Sequence, residues 1–380
     1  MSDGVAISAA DDALTLFLCG DVMLGRGVDQ ILPHPGDPAL YERMVRDARS
    51  YVDLAVRANG HIAMPVDWSW PWGDGLQMLS AAGCDARIIN LETSITTSDD
   101  YARGKAVHYR MNPANMPVLF AVQPDVCVLA NNHVLDFGRS GLLETLDVLA
   151  ASGLRTVGAG RSLREARAPA IIPIPRTGGR ILVFAFGSPS SGVPYGWAAT
   201  EDQAGVHFLP ILTEAIADEL CRRVREVRRP GDITVVSAHW GSNWGYRVDP
   251  EQVRFAHRLI DGGVDLVYGH SSHHPRPLEV YRKKLILYGC GDLVDDYEGI
   301  SDHKEYRDDL RLLYFARLDA TTGELADLSM AALQARQMRL HRAPSVDAKW
   351  LSKTLNKVSR RFGSRIDLAS DGLLHLRSRP

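Results

Sequence analysis

Short apolar runs that alternate with helical patterns constrain the fold of this chain more than any other feature. Each run has the length and the branched or aromatic side chains that are typical of a buried strand. The strand candidates are Leu14–Cys19, Arg87–Asn90, Val126–Ala130, Ile181–Phe186, Ile233–Ala238, Leu266–Tyr268, Leu285–Tyr288 and Leu312–Leu318. The helix candidates are Pro38–Arg57, Gly141–Ala151, Leu212–Val227 and Pro250–Asp261. This alternation predicts an α/β architecture with mostly buried strands.

Length and charge bound the class of protein. A chain of 380 residues predicts one large domain, or one domain with an insertion. The net charge of −3 gives no electrostatic case for binding nucleic acid or an anionic membrane. The N-terminus lacks a basic region, and the apolar run Leu14–Cys19 is too short for a signal peptide or a membrane span. We therefore expect a cytoplasmic protein with no membrane span. The five cysteines, scattered without a CxxC pair, are typical of small buried side chains in a reducing compartment.

Polar side chains follow five of the predicted strands at the point where each strand ends. They are Asp21, Glu92, Asn132, His239 and the pair His270 and His273. In an open α/β sheet the carboxyl ends of the strands meet at one crevice, where ligands bind. The sequence therefore predicts that these side chains meet.

The residue types at these strand ends indicate a metal site. Carboxylate oxygens, an amide oxygen and imidazole nitrogens suit a divalent ion such as Zn, Mn, Fe or Mg. Such an ion can lower the pKa of a bound water from about 16 to about 7, or polarise a carbonyl. Taken singly, Asp21 and Asn132 are compatible with turns and Glu92 with a solvated loop. Their joint occurrence favours the metal site.

The order of motifs along the chain resembles one known family. The motifs are "GDVMLGR", "NLETSIT", "LANNHVLDFG", "SAHWGSNW", "LIDGGVDLVYGHSSHH" and "LEVYRKKLILYGCGD". Together they resemble the CapA-like proteins, relatives of the calcineurin-like metallophosphoesterase superfamily that are linked to poly-γ-glutamate capsule synthesis and breakdown. The resemblance implies a four-layer α/β/β/α sandwich of the metallo-dependent phosphatase type. We expect a flexible N-terminus over 1–13, this domain over 14–320, and a C-terminal extension over 321–380 that packs on it.

The resemblance also implies roles for individual residues. Asp21, Glu92, Asn132 and His239 match ligands of one or two divalent metals, among which Zn, Mn, Fe, Mg and Ca are not distinguished. His133 matches a general acid or charge stabiliser. The last histidine motif departs from that of relatives, which usually have two histidines separated by one residue; from "GHSSHH" we assign His270 and His273 as ligands. Extra titratable groups follow near that strand end, at Asp292, Asp295, Asp296 and His303.

The chemistry that we expect is amide hydrolysis of a peptide or of poly-γ-glutamate by a metal-activated water, with His133 giving a proton to the leaving amine. An alternative is epimerisation of a peptide at Cα, as in lasso-peptide tailoring. In that case His303 or one of Asp295 and Asp296 is one base, and Asp21 or His133 is the other. Phosphoester hydrolysis and an inactive binding module remain further alternatives.

Substrate-contacting residues are predicted from their place beside the motifs. Trp240 and Trp244 follow His239, so they are expected to line the crevice. Arg26 is a candidate partner for an anionic group of the substrate. Trp68, Trp70 and Trp72 alternate in a loop, which is compatible either with a pocket wall or with packing on the core.

Overall fold

The computed structural model describes residues 13–300 and 302–378; the expectation for residues 1–12 lies outside this part of the chain. The strands are β1 Ala13–Val22, β2 Ala86–Leu91, β3 Ser94–Ile95, β4 Arg110–Met111, β5 Val126–Val128, β6 Arg155–Val157, β7 Ala159–Gly160, β8 Ala170–Ile174, β9 Gly179–Gly187, β10 Gly205–Val206, β11 Ile233–His239, β12 Leu266–His270, β13 Leu278–Tyr281, β14 Lys284–Leu287, β15 Asp292–Val294, β16 Leu310–Asp319, β17 Leu325–Arg336, β18 Arg339–Arg342, β19 Ser364–Leu368 and β20 Leu374–Ser378. The α-helices are α1 Gly27–Ile31, α2 Arg49–Asn59, α3 Gly75–Ala82, α4 Pro117–Phe120, α5 Gly138–Ala151, α6 Leu163–Arg167, α7 Glu214–Val227, α8 Pro250–Asp261 and α9 Ser345–Ser359.

Two large sheets form the centre of the molecule. The first has the order β19-β20-β17-β16-β1-β2-β5-β6, with β15 added beside β1 and β18 beside β17. The second has the order β13-β14-β12-β11-β9-β8. Strands β1, β2, β5 and β6 are parallel to one another, as are β14, β12, β11 and β9. Each sheet therefore brings the carboxyl ends of several strands to one edge.

The two sheets pack face to face. Leu16 and Ile88 of the first sheet belong to the same fully buried cluster as Val183 and Val235 of the second. Because side chains alternate between the two faces of a strand, the neighbouring residues point outward from this layer.

Helices cover the outward faces of both sheets. Phe17 of β1 packs in a cluster with Val52 of α2 and Leu146 of α5. Phe184 of β9 packs in a third cluster with Phe255 of α8. The layers are thus helix, sheet, sheet and helix, so the predicted four-layer α/β/β/α sandwich is confirmed.

A close backbone contact sets the end of β1. β15 pairs in parallel with β1, and Asp21 lies in register with Asp292. A Cβ atom on Gly20 would lie 1.6 Å from the carbonyl oxygen of Gly291. Only glycine permits this approach. It places two aspartates side by side at the strand end.

The predicted elements differ from the structure mainly in one helix. All eight predicted strands are present, with ends that differ by a few residues. The predicted helix Pro38–Arg57 is wrong in its first half, since α2 begins at Arg49. The segment before α2 is instead held by backbone pairing of Ala39 with Asp47 and by the Asp47 side chain, which accepts a hydrogen bond from the Arg49 amide. Such aspartate bonds compete with helix formation.

The C-terminal region continues the first sheet. The predicted boundary at residue 320 falls between β16 and β17, and these two strands pair in antiparallel fashion over almost their whole length. The division into a domain and an extension remains a prediction. No helix in the described ranges is both long and apolar enough to cross a membrane.

Candidate metal centre

Four predicted ligands lie at the carboxyl ends of neighbouring strands. Asp21 is near the end of β1, Glu92 follows β2, His239 ends β11 and His270 ends β12. All four side chains are buried. His239 and His270 are in register between their parallel strands. The convergence of strand ends that the sequence predicts is therefore present.

One donor group consists of Asp21, His239 and His270. One ligand atom from each side chain lies within 4.8 Å of the others. The Nδ1 atoms of His239 and His270 are 2.6 Å apart, and His239 Nε2 is 2.9 Å from Asn132 Oδ1. Glu92 Oε1 lies 3.8 Å from His239 Nε2. His270 thus lies on the Nδ1 side of the His239 ring, whereas Asn132 and Glu92 lie on its Nε2 side.

A second donor group shares Asp21 with the first. Its members are Asp21, His273 and Asp292, again with ligand atoms within 4.8 Å of one another. His273 Nδ1 lies 3.0 and 3.1 Å from the two Asp292 oxygens. From the sequence, His273 is a predicted ligand, whereas Asp292 is only an extra titratable group. The parallel pairing of β15 with β1, a strand of three residues, is what brings Asp292 to the centre.

Burial disfavours the ionised form of two carboxylates at the centre, Asp21 and Glu92. Burial, with Glu92 and Asp292 nearby, raises the pKa of Asp21 well above its ordinary value. Burial also raises the pKa of Glu92 to about 8. Asn90 Nδ2 donates to both carboxylates, at 2.7 and 3.0 Å, but it carries no charge. A divalent cation supplies the missing positive charge, so the donor set fits a metal.

His239 and His270, the two histidines of the first donor group, are neutral at pH 7, whereas Asp292 raises the pKa of His273 against the opposing effect of burial. Burial lowers the pKa of His270 to about 3, and it lowers the pKa of His239 well below the ordinary value. Neutral imidazole is the form that binds a metal. His270 Nε2 is 2.7 Å from the Ser237 hydroxyl, which fixes the ring and leaves Nδ1 directed at the centre. These properties also fit a cation.

His133 lies beside the centre in a hydrogen-bonded dyad. Its Nδ1 atom is 2.6 Å from Asp136 Oδ2, and its Nε2 atom is 3.9 Å from Glu92 Oε1. The Lys105 ammonium contacts Asp136 Oδ1 and the Asn132 carbonyl. Burial lowers the pKa of His133 to about 4, although Asp136 opposes this shift. Sequence reasoning missed Asp136 and Lys105; the spacing of Asp136 three residues after His133 is a signal that could have revealed the dyad.

A cavity of about 330 Å³ opens on the centre. Its lining includes Glu92, Lys105, Asn132, His133, His273 and Tyr297. His133 of the dyad and His273 of the second donor group thus face one space together with Glu92 and Asn132, which lie beside His239. This volume is enough for a small part of a substrate.

The prediction that Arg26 binds substrate is corrected by its contacts. The side chain is buried, and its guanidinium donates to Asp296 and, at 3.0 Å, to Glu42. The Tyr51 ring covers it, with Cζ 3.6 Å from the ring centroid. Asp296 also accepts a hydrogen bond of 2.8 Å from the Gly27 amide. Arg26 and Asp296 therefore neutralise each other, and Asp296 is not placed to act as a base.

The prediction for Trp240 is also corrected. Its side chain has no exposed surface, and it packs against Phe186 and Phe255 beneath helix α8. Its Nε1 donates to the Tyr288 carbonyl at 3.1 Å. His239 faces the centre, so the next residue along the strand faces the opposite side.

Trp244 and His303 form an aromatic stack at the edge of the centre. Trp244 is half-buried, and its ring centroid lies 5.2 Å from that of His273 and 4.2 Å from that of His303. His303 is exposed and belongs to neither donor group. Trp244 lies beside His273 of the centre, and its contact with substrate stays a prediction, whereas the structure does not bring His303 to the centre. The Trp68–Trp72 loop packs on the core, where Trp72 is buried and donates to the Val118 carbonyl.

The four-layer sandwich and the donor groups at its strand ends define the class: an α/β/β/α protein with a candidate metal centre between two sheets. The family model for bacterial capsule synthesis protein PGA_cap matches residues 15–297. The chain therefore belongs to this family, and the resemblance to CapA-like proteins is confirmed.

The chain is similar to several proteins, and the share of each chain that is matched differs among them. A "probable polyglutamine synthesis accessory protein" of Mycobacterium tuberculosis is 52% identical over 366 residues, which is 96% of each chain. "PGA biosynthesis protein CapA" of Bacillus subtilis is 27% identical over 294 residues, 76% of this chain and 64% of that protein. The 5'-nucleotidase precursor of Thermus thermophilus superposes with a TM-score of 0.45 at 15% identity, over 85% of this chain and 54% of that one. The fold assignment rests on the layers described above.

Proposed function

We propose that the chain is a metal-dependent enzyme that hydrolyses an amide bond in a peptide or in poly-γ-glutamate. The observation that carries this proposal is the shared cavity: His133 of the dyad lines the same space as His273, Glu92 and Asn132, which border the buried donor groups. Family membership and the names of the relatives support a substrate of the polyglutamate kind.

The dyad favours proton transfer by His133. Because Asp136 holds Nδ1, we infer that the proton is on Nδ1 and that the Nε2 lone pair faces Glu92 and the cavity. A pKa of about 4 keeps this nitrogen free of a proton at pH 7. His133 then accepts the proton of the attacking water and passes it to the leaving amine, as a general base and acid in turn.

The donor groups support the metal-binding part of the proposal. Asp21, His239 and His270, with Asn132 and Glu92 beside them, are the residues that would hold a divalent cation. A cation at this point would make a water more acidic and polarise the amide carbonyl. Of the bases that epimerisation would use, Asp296 is bound to Arg26 and His303 is exposed, which supports hydrolysis over that alternative.

The test uses the full chain and a short γ-linked glutamate oligomer in heavy water. Mass spectrometry follows new termini and deuterium at Cα, with and without a chelator. We expect cleavage that stops on chelation and resumes with added metal. His133→Gln keeps the fold and should lower the rate by about 100-fold or more, the contribution of a general base.

A matched control is His257→Gln, because His257 contacts Glu279 on the helix-covered side, away from the cavity. It should leave the rate unchanged. Deuterium at Cα without cleavage would overturn hydrolysis in favour of epimerisation. Cleavage that a chelator does not affect would overturn the metal requirement.

A further inference from the structure

We propose that the exposed basic face of helix α9 binds the free carboxylates of a poly-γ-glutamate chain that enters the cavity of the metal centre. This face, the basic stripe, consists of Lys349, Lys353 and Lys357. The inference rests on the proposed function for its choice of polyanion. The match to the family model ends at residue 297, so the stripe lies in a part of the chain beyond that match.

Packing on the first sheet decides which face of α9 is exposed. Leu351 and Leu355 are buried in the same cluster as Ile366 of β19. The Ser352 hydroxyl donates to the Ile366 carbonyl at 2.8 Å, which ties the helix to this strand. Because residues three or four apart share one face of a helix, the basic stripe lies on the face opposite the leucines, and all three of its lysines are exposed.

The charges of the basic stripe are not neutralised by neighbouring acids. None of its ammonium groups forms an ion pair with a carboxylate of residues 13–300 or 302–378. The acidic residue of α9, Asp347, pairs with Arg307 at 2.9 Å. On α7, by contrast, Arg222 and Arg223 each pair with a glutamate four residues away. The stripe is therefore electropositive, although the whole chain has a net charge of −3.

The spacing of the basic stripe matches the spacing of charges along γ-linked glutamate. Its lysines recur every four residues, and four residues advance an α-helix by about 6 Å. An α-linked residue has three backbone bonds and extends by up to about 3.6 Å. A γ-linked residue has five, because the chain runs through Cβ and Cγ, and so extends by about 6 Å. Each residue carries one free α-carboxylate, so successive carboxylates can face successive lysines.

Both ends of α9 contact the segments that border the metal centre. The first turn is bound to Arg307, and Arg361, just beyond the last turn, donates to the Val248 carbonyl at 2.8 Å. Arg307 lies four residues after His303, whose ring stacks on Trp244, and Val248 lies four residues after Trp244. The basic stripe is therefore on a helix that adjoins the aromatic stack at the edge of the centre.

The cavity by itself leaves most of a polymer on the protein surface. Its volume of about 330 Å³ accommodates a small part of a substrate. Lys105, a cation of its lining, contacts Asp136 and is already neutralised there. The remaining carboxylates of a polyanion therefore need positive charge outside the cavity, which the basic stripe offers.

An anionic membrane fits this face less well than a polymer does. A helix that lies in a membrane surface presents large apolar side chains toward the lipid. α9 exposes Val346, but Leu351 and Leu355 are buried in the core. Attraction to lipid would therefore depend on charge with little apolar area to support it.

The experiment first measures binding to the full chain in the presence of a chelator, so that no metal contributes. The probe is a fluorescently labelled γ-linked glutamate oligomer long enough to extend from the cavity over α9, and its anisotropy gives Kd. We expect binding that weakens as salt is added, since salt screens exposed charges. The triple variant Lys349→Gln, Lys353→Gln, Lys357→Gln should raise Kd about 10-fold, because each exposed ion pair contributes about 1.4- to 5-fold.

Two matched variants separate the basic stripe from positive charge in general. Arg222→Gln, Arg223→Gln and Arg225→Gln together remove the same charge from α7 and should leave Kd unchanged. Arginine in place of the three lysines keeps the charge and should keep the binding. In cleavage assays with added metal, the glutamine variant should raise the KM of the long oligomer with kcat unchanged. The KM of a γ-linked dimer, which is too short to reach α9, should stay the same.

Circular dichroism establishes that each variant is folded, and the three single glutamine variants replace the triple one if it is not. Equal Kd values for the natural chain and the folded glutamine variant would overturn the inference, as would an equal loss in the α7 variant. Tighter stripe-dependent binding to phosphatidylglycerol vesicles or to single-stranded DNA would also overturn it. Cleavage with an unchanged KM in the glutamine variant would overturn the inference and leave the proposed function standing. Stripe-dependent binding without cleavage would overturn the proposed function alone.

Discussion

Replacing Arg26 should destabilise the protein rather than weaken substrate binding. The guanidinium is the cation that faces two buried carboxylates, Asp296 and Glu42. Tyr51 and Tyr109 cover its faces, with Cζ 3.6 and 4.5 Å from the ring centroids. In Arg26→Gln both carboxylates stay buried without a positive partner. We therefore expect a large loss in the free energy of unfolding.

The magnitude follows from the contacts. Removing one partner of a buried ion pair costs about 3–5 kcal/mol. Asp296→Asn should cost less, about 2–3 kcal/mol, because Arg26 keeps Glu42 and an asparagine oxygen still accepts from the Gly27 amide. In the double variant only Glu42 is left without its cation, whereas Arg26→Gln alone leaves both carboxylates unpaired. The two losses should then fall short of additivity by about 2 kcal/mol, as expected for residues in contact.

Urea unfolding followed by circular dichroism measures all four free energies of this cycle. Equal m-values are needed for the comparison, since they show that the same surface is exposed on unfolding. If Arg26→Gln changed the free energy of unfolding by less than about 0.5 kcal/mol, the residue would behave like an ordinary surface position. That result, or strict additivity with Asp296→Asn, would refute the reasoning and restore Arg26 as a candidate for substrate contact.

Two further predictions address the centre and the core. Asp21→Ala and His239→Ala should each lose bound metal, measured by elemental analysis of the purified protein; full occupancy in both would contradict the ligand assignment. Burial lowers the pKa of His207 to about 4, from an ordinary value near 6.5. The unfolded chain therefore takes up the proton first, and stability should fall by about 3 kcal/mol as pH drops from 6.5 to 4. His207→Asn, which can keep the bond to the Ala185 carbonyl, should lack this part of the pH dependence in acid unfolding; an unchanged pH profile would contradict it.

The sheet strands were predictable because their signal is local. Runs such as Val126–Ala130 and Ile233–Ala238 are buried on both faces, so nearly every position is apolar (Thr234 and Ser237 are the exceptions) and the run is visible in the sequence. The convergence of Asp21, His239 and His270 followed from topology, since parallel strands end at one edge. These parts of the site needed no knowledge of side-chain contacts.

The roles of Arg26, Asp296 and Asp292 could not be predicted in the same way. Asp296 lies 270 residues from Arg26 along the chain, and its pairing depends on where one loop crosses another. Asp292 belongs to a strand of three residues preceded by a glycine with positive φ, too short for any periodicity to appear. Several acidic residues follow one another there, and composition alone does not say which of them faces the centre.

The buried position of Trp240 could have been predicted from the alternation of side chains along β11. Along β11 the odd-numbered Val235 packs between the sheets, whereas the even-numbered Val236 and Ala238 pack under the helices. Alternation places His239 with the first set and Trp240 with the second. A residue directly after a strand-end ligand therefore faces away from the site unless the backbone turns first. Gly241, with φ of +82°, makes that turn, and the first aromatic side chain beyond it, Trp244, is the one that reaches His273.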